Sequence, residues 1–110
     1  MSIFRRVKNT DINEGVKTAE TTKGSLLIDV RSKEEYASGH IPGSINIPTE
    51  RLSLIEKRVP DRATPLFLYC RSGARSARMA KILKKTGYQQ ILDIGGIHGW
   101  RGKTEKGPVT

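Results

Sequence analysis

Pro65-Leu66-Phe67-Leu68-Tyr69-Cys70-Arg71-Ser72-Gly73-Ala74-Arg75-Ser76 is the stretch on which the reading of this chain turns. An apolar strand ends in the only cysteine of the protein. A short loop of small and basic residues follows, and it opens directly into a helix. Strand, tight loop and helix in that order mark an α/β unit. A thiol at such a place sits in a cup of backbone N–H groups at a helix N-terminus, which favours its anionic form and holds an anion. A cysteine nucleophile acting on a small oxyanion or sulfur anion needs that setting. A buried structural residue is the ordinary reading of a lone cysteine. The loop after Cys70 argues for reactivity instead.

Working outward, Leu26-Leu27-Ile28-Asp29-Val30 is a second continuous apolar run, suited to a strand buried on both faces of a parallel sheet. Before it, Phe4 to Val7 reads as a short first strand. Thr10 or Asp11 caps a helix through about Glu20, which Gly24 and Ser25 break. After it, Ser32-Lys33-Glu34-Glu35 is a capping box, and Gly39 ends its short helix. Ile41-Pro42-Gly43 makes a turn, and Ser44 to Ile47 is a short strand stopped by Pro48. Thr49 is expected to cap a helix through about Arg58, with Leu52, Ile55 and Val59 on one face. The helix after Cys70 runs from about Ala74 to Thr86. Ala77, Met79, Ala80, Ile82 and Leu83 form its apolar side, and Gly87 terminates it. A last strand, Gln90 to Ile94, leads into Gly95-Gly96, and the polar tail from Gly102 to Thr110 is expected to be mobile at its end.

Strands therefore alternate with helices. The expected fold is a three-layer α/β/α domain with a mainly parallel central sheet of about five strands. Sites in such sheets form beyond the carboxyl ends of the strands. Cys70, Asp29 with Arg31, and Gly95 with Gly96 all lie at such ends and should converge on one edge.

Composition narrows the function. A chain of 110 residues has room for one domain, taken here as residues 1–110. No apolar run reaches membrane-spanning length. Arg5, Arg6 and Lys8 are followed by Asp11 and Asn13 where a signal peptide would be apolar. The chain reads as soluble and cytoplasmic, with no membrane partner. One cysteine excludes an internal disulfide and a multi-thiolate metal site, and His40 and His98 add little. No metal and no cofactor is expected. A net charge of +9 favours anionic substrates. The basic residues are scattered, and aromatics make up 5% of the chain, too few for a base-stacking platform. No nucleic-acid partner is expected.

These motifs together resemble the rhodanese-like (sulfurtransferase) family. Asp29-Val30-Arg31, Glu34-Glu35-Tyr36 and Gly39 to Pro48 resemble its first signature. Tyr69 to Ser76 resembles its active-site loop, and Gly95-Gly96-Ile97 with Trp100 its C-terminal motif. The ordered match spans roughly residues 24–108 and looks like the single-domain form. The resemblance implies that Cys70 attacks the outer sulfur of thiosulfate or a persulfide donor and becomes a persulfide. A thiophilic acceptor, cyanide or a thiol, then takes that sulfur; a protein sulfur donor or acceptor is the further candidate partner. It implies that the amides of Arg71, Ser72, Gly73, Ala74, Arg75 and Ser76 bind the anionic sulfur, and that Arg71 and Arg75 attract the donor.

Alternatives stand beside it. From Cys70 to Arg75 the spacing is C-x4-R, whereas related cysteine phosphatases use C-x5-R around a larger phosphate group. The shorter loop suits a single sulfur atom. A cysteine-dependent phosphatase or arsenate reductase is thus the weaker alternative, and a non-enzymatic binding or sulfur-carrier module is another. Asp29 and Arg31 are read as structural support for the loop. His40 is read as a satisfied structural histidine, and Trp100 as a core residue. Ser72 and Ser76 either bond the donor or cap the helix.

Overall fold

The computed structural model describes residues 11–107. The expected strand at Phe4–Val7 and the alternative cap Thr10 lie outside them. Helix α1, Ile12–Thr21, starts at Asp11, whose carboxylate accepts from the Asn13 and Glu14 amides. Strand β1 is Leu26–Asp29, helix α2 Lys33–Ser38 and strand β2 Ile45–Asn46. Helix α3 is Ser53–Arg58, β3 Leu66–Cys70, α4 Ala74–Lys85 and β4 Ile91–Gly96.

The described strands form a four-stranded sheet in the order β2-β1-β3-β4, every pair parallel. Four strands, against about five expected, is the count among the described residues. β1 and β3 occupy the centre, as their apolar composition requires. All five residues of β3 are buried. Its side chains alternate between faces with period two. Leu66, Leu68 and Cys70 enter one core with Ile55 of α3, Val59 just after it, and Met79, Ala80 and Leu83 of α4. Phe67 and Tyr69 enter the opposite core with Ile12, Val16 and Ala19 of α1. Helices thus cover both faces of the sheet. On the α1 side Gly15 is required: a Cβ there would collide with the side chain of Ile94.

Several local expectations change. Thr49 does not cap a continuous helix. Pro48 precedes a 3-10 turn, Thr49–Arg51, and α3 begins afterwards without a side-chain cap. Ile55 and Val59 are buried nonetheless. Ile82 is on the exposed side of α4, at 37% accessibility. The described part of the tail is anchored, with Glu105 in a two-bond antiparallel bridge to His40 and the Gly107 amide donating to Ala37, while the end expected to be mobile, 108–110, lies outside the described residues. Trp100 is half-buried against the α1 core, and its indole N–H donates to the Lys103 carbonyl.

Candidate active site

The ends of three strands meet, because the ladder pairs Asp29 with Tyr69 and Cys70 with Gly96. Cys70 ends β3 and is 1% exposed. Gly73 follows with φ +104°, a left-handed conformation that glycine adopts at little cost. This residue turns the chain sharply into α4, and its amide donates to Cys70 Sγ at 2.9 Å. No side chain caps α4. The sulfur accepts from the N-cap residue's own amide and leaves those of the first turn without a side-chain cap. Among the described residues, the amides of Ser72, Ala74, Arg75 and Ser76 have no hydrogen-bond acceptor. They remain available to an anion beside the sulfur.

Gly95 and Gly96 form the floor of this loop. A Cβ on Gly96 would collide with the Arg71 carbonyl oxygen and Ser72 Cα. The Arg71 carbonyl also accepts from the His98 amide at 3.1 Å, which ties the loop to the turn after β4.

Ser76 is fully buried beneath the sulfur. Its Oγ is 3.4 Å from Cys70 Sγ and 2.6 Å from Asp93 Oδ1. A hydroxyl has one proton, and the shorter contact, to a carboxylate, takes it. Asp93 Oδ1 also accepts from the Gly95 amide at 3.0 Å. Asp93 was not among the residues singled out from sequence. Its signal is faint: one acidic residue two places before a Gly-Gly pair.

The two loop arginines separate. Arg71 is exposed. Arg75 is half-buried and gives two bonds to the Glu35 carboxylate, Nη1–Oε1 2.8 Å and Nη2–Oε2 3.0 Å. Glu35 is the N3 residue of the α2 capping box and also accepts from the Ser32 amide. Arg75 holds its carboxyl down at about 2, and the Arg75 guanidinium is raised in return.

Asp29 and Arg31 form a buried pair, Arg31 Nη2 to Asp29 Oδ2 at 2.7 Å, with Nε also bonded to the carboxylate. Neither hydrogen-bonds to residues 70–76. Arg31 Nη2 donates instead to the Gly39 carbonyl at the end of α2. Asn46 Nδ2 donates to the carbonyls of Asp29 and Arg31, and so clasps this strand end to β2. The pair thus steadies α2, and α2 in turn presents Glu35 to Arg75. His40 is buried and stacked on Tyr36 with ring centroids 3.7 Å apart, its Nδ1 2.8 Å from the Tyr36 carbonyl. Tyr69 is deeply buried; loss of solvation pushes its phenol above the usual range, while Ser44 Oγ and the Ile41 amide bond its oxygen.

Known proteins share this fold. A family model, the Rhodanese-like domain, matches residues 12–103. YqhL, an uncharacterized protein of Bacillus subtilis, is 42% identical over 104 residues, covering 92% of this chain and 75% of that one. The thiosulfate sulfurtransferase PspE of Escherichia coli is 37% identical over 71 residues, 64% of this chain and 68% of PspE. A solved structure, "rhodanese with anions from E. coli", superposes with a TM-score of 0.70 at 33% identity, covering 76% of this chain and 99% of the other. Other curated relatives are longer, and this chain spans 43% and 24% of the length of two of them. With a family model covering most of the chain, and a parallel sheet with helices on both faces that superposes on a solved rhodanese, the chain belongs to the rhodanese-like domain family.

Proposed function

We propose that this protein is a sulfurtransferase that carries sulfur as a persulfide on Cys70. The observation that carries the reading is the loop. Sγ accepts from Gly73, and the neighbouring amides of Ser72, Ala74, Arg75 and Ser76 lack acceptors. The Cys70 thiolate attacks the outer sulfur of thiosulfate. That S–S bond breaks, sulfite leaves with its electron pair, and Cys70 bears the sulfane sulfur. A second nucleophile, a thiol or cyanide, attacks that sulfur and returns the thiolate. The amides stabilise the negative sulfur in both half-reactions. Relatives bearing the name sulfurtransferase support this class of chemistry.

The pairing of Arg75 with Glu35 supports sulfur over phosphate, because a phosphate-binding loop needs its arginine on the anion. The same pairing supports a second reading. With Arg75 occupied, Arg71 alone faces solvent to attract a small dianion, which favours a carrier loaded by a protein persulfide. In both readings residues 12–107 act as one unit. Both place it in a reducing compartment such as the cytoplasm, where a lone thiol stays free.

Intact mass spectrometry tests the reading. Thiosulfate should add one sulfur atom to the protein, and cyanide should remove it. Turnover of thiosulfate by Cys70→Ser would overturn it. A stable persulfide gained from a small persulfide donor, with no thiosulfate turnover, would select the carrier.

A further inference from the structure

Beside the loop lies a cavity of about 270 Å³, lined by Arg31, Glu35, Ser38, Arg71, Ile97 and His98. It falls just short of the ~300–1,000 Å³ typical of pockets for drug-sized ligands, so it suits a small molecule. Arg71 follows Cys70 directly, and its carbonyl accepts from the His98 amide, so the cavity adjoins the mouth of the sulfur loop.

The charges in its wall are unequally matched. Arg31 is paired with Asp29, and Glu35 with Arg75. Ser38 gives its hydroxyl proton to the Glu35 carbonyl and keeps acceptor capacity. The side chains of Arg71 and His98 are exposed and have no partner among the described residues. What remains unbalanced is positive. Ile97, half-buried between them, offers an apolar wall. A ligand that fits has a short carbon chain and a negative end.

The persulfide chemistry proposed above supplies the other end of that ligand, and the inference rests on it. We propose that this cavity is the acceptor subsite, and that it takes a small thiol bearing a carboxylate. Arg71 and His98 hold the carboxylate, and Ile97 packs the chain. The thiolate at the far end attacks the outer sulfur of the Cys70 persulfide. One S–S bond breaks and one forms: the acceptor leaves as a persulfide, and Cys70 returns as thiolate. The compact donor, whose charge lies next to its sulfur, has no need of this room. His98 is on this account a specificity residue for the second half-reaction.

The test separates the two halves. Protein loaded with thiosulfate and freed of excess is mixed with 3-mercaptopropionate, 2-mercaptoethanol or cysteamine at equal thiolate concentration. Loss of sulfur is followed by intact mass. Every rate is divided by the same thiol's rate on a small model disulfide, because nucleophilicity rises with thiol pKa. So normalised, 3-mercaptopropionate should discharge the protein at low salt about fivefold faster than cysteamine, the upper range for an exposed charge pair. Salt should erode the difference. His98→Glu should invert the order, with the rate for neutral 2-mercaptoethanol held within about twofold. Equal rates for the three thiols, or an order unchanged in H98E, overturn the subsite. A second measurement needs no turnover. The unreactive 3-(methylthio)propionate should shift the amide resonances of Arg71, Ile97 and His98, and their constancy would also overturn it. If those shifts appear in a protein that takes sulfur neither from thiosulfate nor from a small persulfide donor, the persulfide reading fails while the anion-binding cavity stands.

Discussion

Arg75 and Glu35, forty residues apart in sequence, are joined by two hydrogen bonds of 2.8 and 3.0 Å. The first turn of α4 is thereby fastened to the first turn of α2. Among the described contacts, this is the direct side-chain link between the sulfur loop's own helix and α2.

The link titrates. Arg75 lowers the Glu35 carboxyl from 4.5 to about 2. A depressed carboxyl contributes stability that is fully present above its unfolded value and is lost as pH falls through its folded value. Wild type should therefore exceed Glu35→Gln in urea stability at pH 6, by about 0.5–1 kcal/mol for a pair one-third exposed. The gap should shrink from pH 4.5 downward and close near pH 2. Gln keeps the Ser32 bond of the capping box, so the difference isolates the ion pair. A gap that did not change with pH would place the stabilisation elsewhere.

Gly96→Ala should be more damaging than an exposed alanine substitution. The added methyl meets the Arg71 carbonyl and Ser72 Cα, both main chain. Overpacking of this kind costs about 1–3 kcal/mol. The loop must also shift from its floor, so sulfur loading should slow together with the loss in stability. Thermal melts and single-turnover loading check both.

Ser76→Ala removes the proton that satisfies Asp93 from a fully buried site. Asp93 Oδ1 keeps the Gly95 amide. The expected loss is about 1–3 kcal/mol by urea denaturation at pH 7. Asp93→Asn retains an oxygen that can accept from Ser76 and should lose less. Equal losses in the two variants would contradict the assignment of the Ser76 proton.

Truncation after Gly102 removes the Glu105 bridge to His40 and the bond from Gly107 to Ala37. It also removes the carbonyl that receives the Trp100 indole N–H. These bonds are near the surface, and about 1 kcal/mol, or ~5 °C in Tm, should be lost. Hydrogen exchange at the His40 amide should rise well above that at the Ile28 amide.

Much of this was legible in the residues. Leu26–Asp29 and Leu66–Cys70 read as central strands because an unbroken apolar run fits a strand covered on both sides. Ser32 with Glu35 announced α2 through a reciprocal pair of local bonds. Gly73 and Gly96 stood in the motifs, and the structure adds why each lacks a side chain. What escaped the sequence is what depends on distant partners. Nothing local shows that Arg75 will meet Glu35 rather than the anion, or that Asp93 will take the Ser76 proton. Glu105 reads as part of a polar tail until the fold brings it beside His40, just after α2. Thr49 was misread because a cap-forming residue after Pro48 favours a helix start, while the chain makes a 3-10 turn before α3 begins.

The bond from Gly73 N–H to Cys70 Sγ makes the reacting atom a structural part of the helix it faces. Under the proposed chemistry each transfer of sulfur would change the acceptor of the Gly73 amide, just ahead of α4. The helix start would then register whether the protein is empty or charged. A partner touching Ala74 or Arg75 would meet two slightly different surfaces, and so has a physical basis for telling a loaded carrier from a spent one.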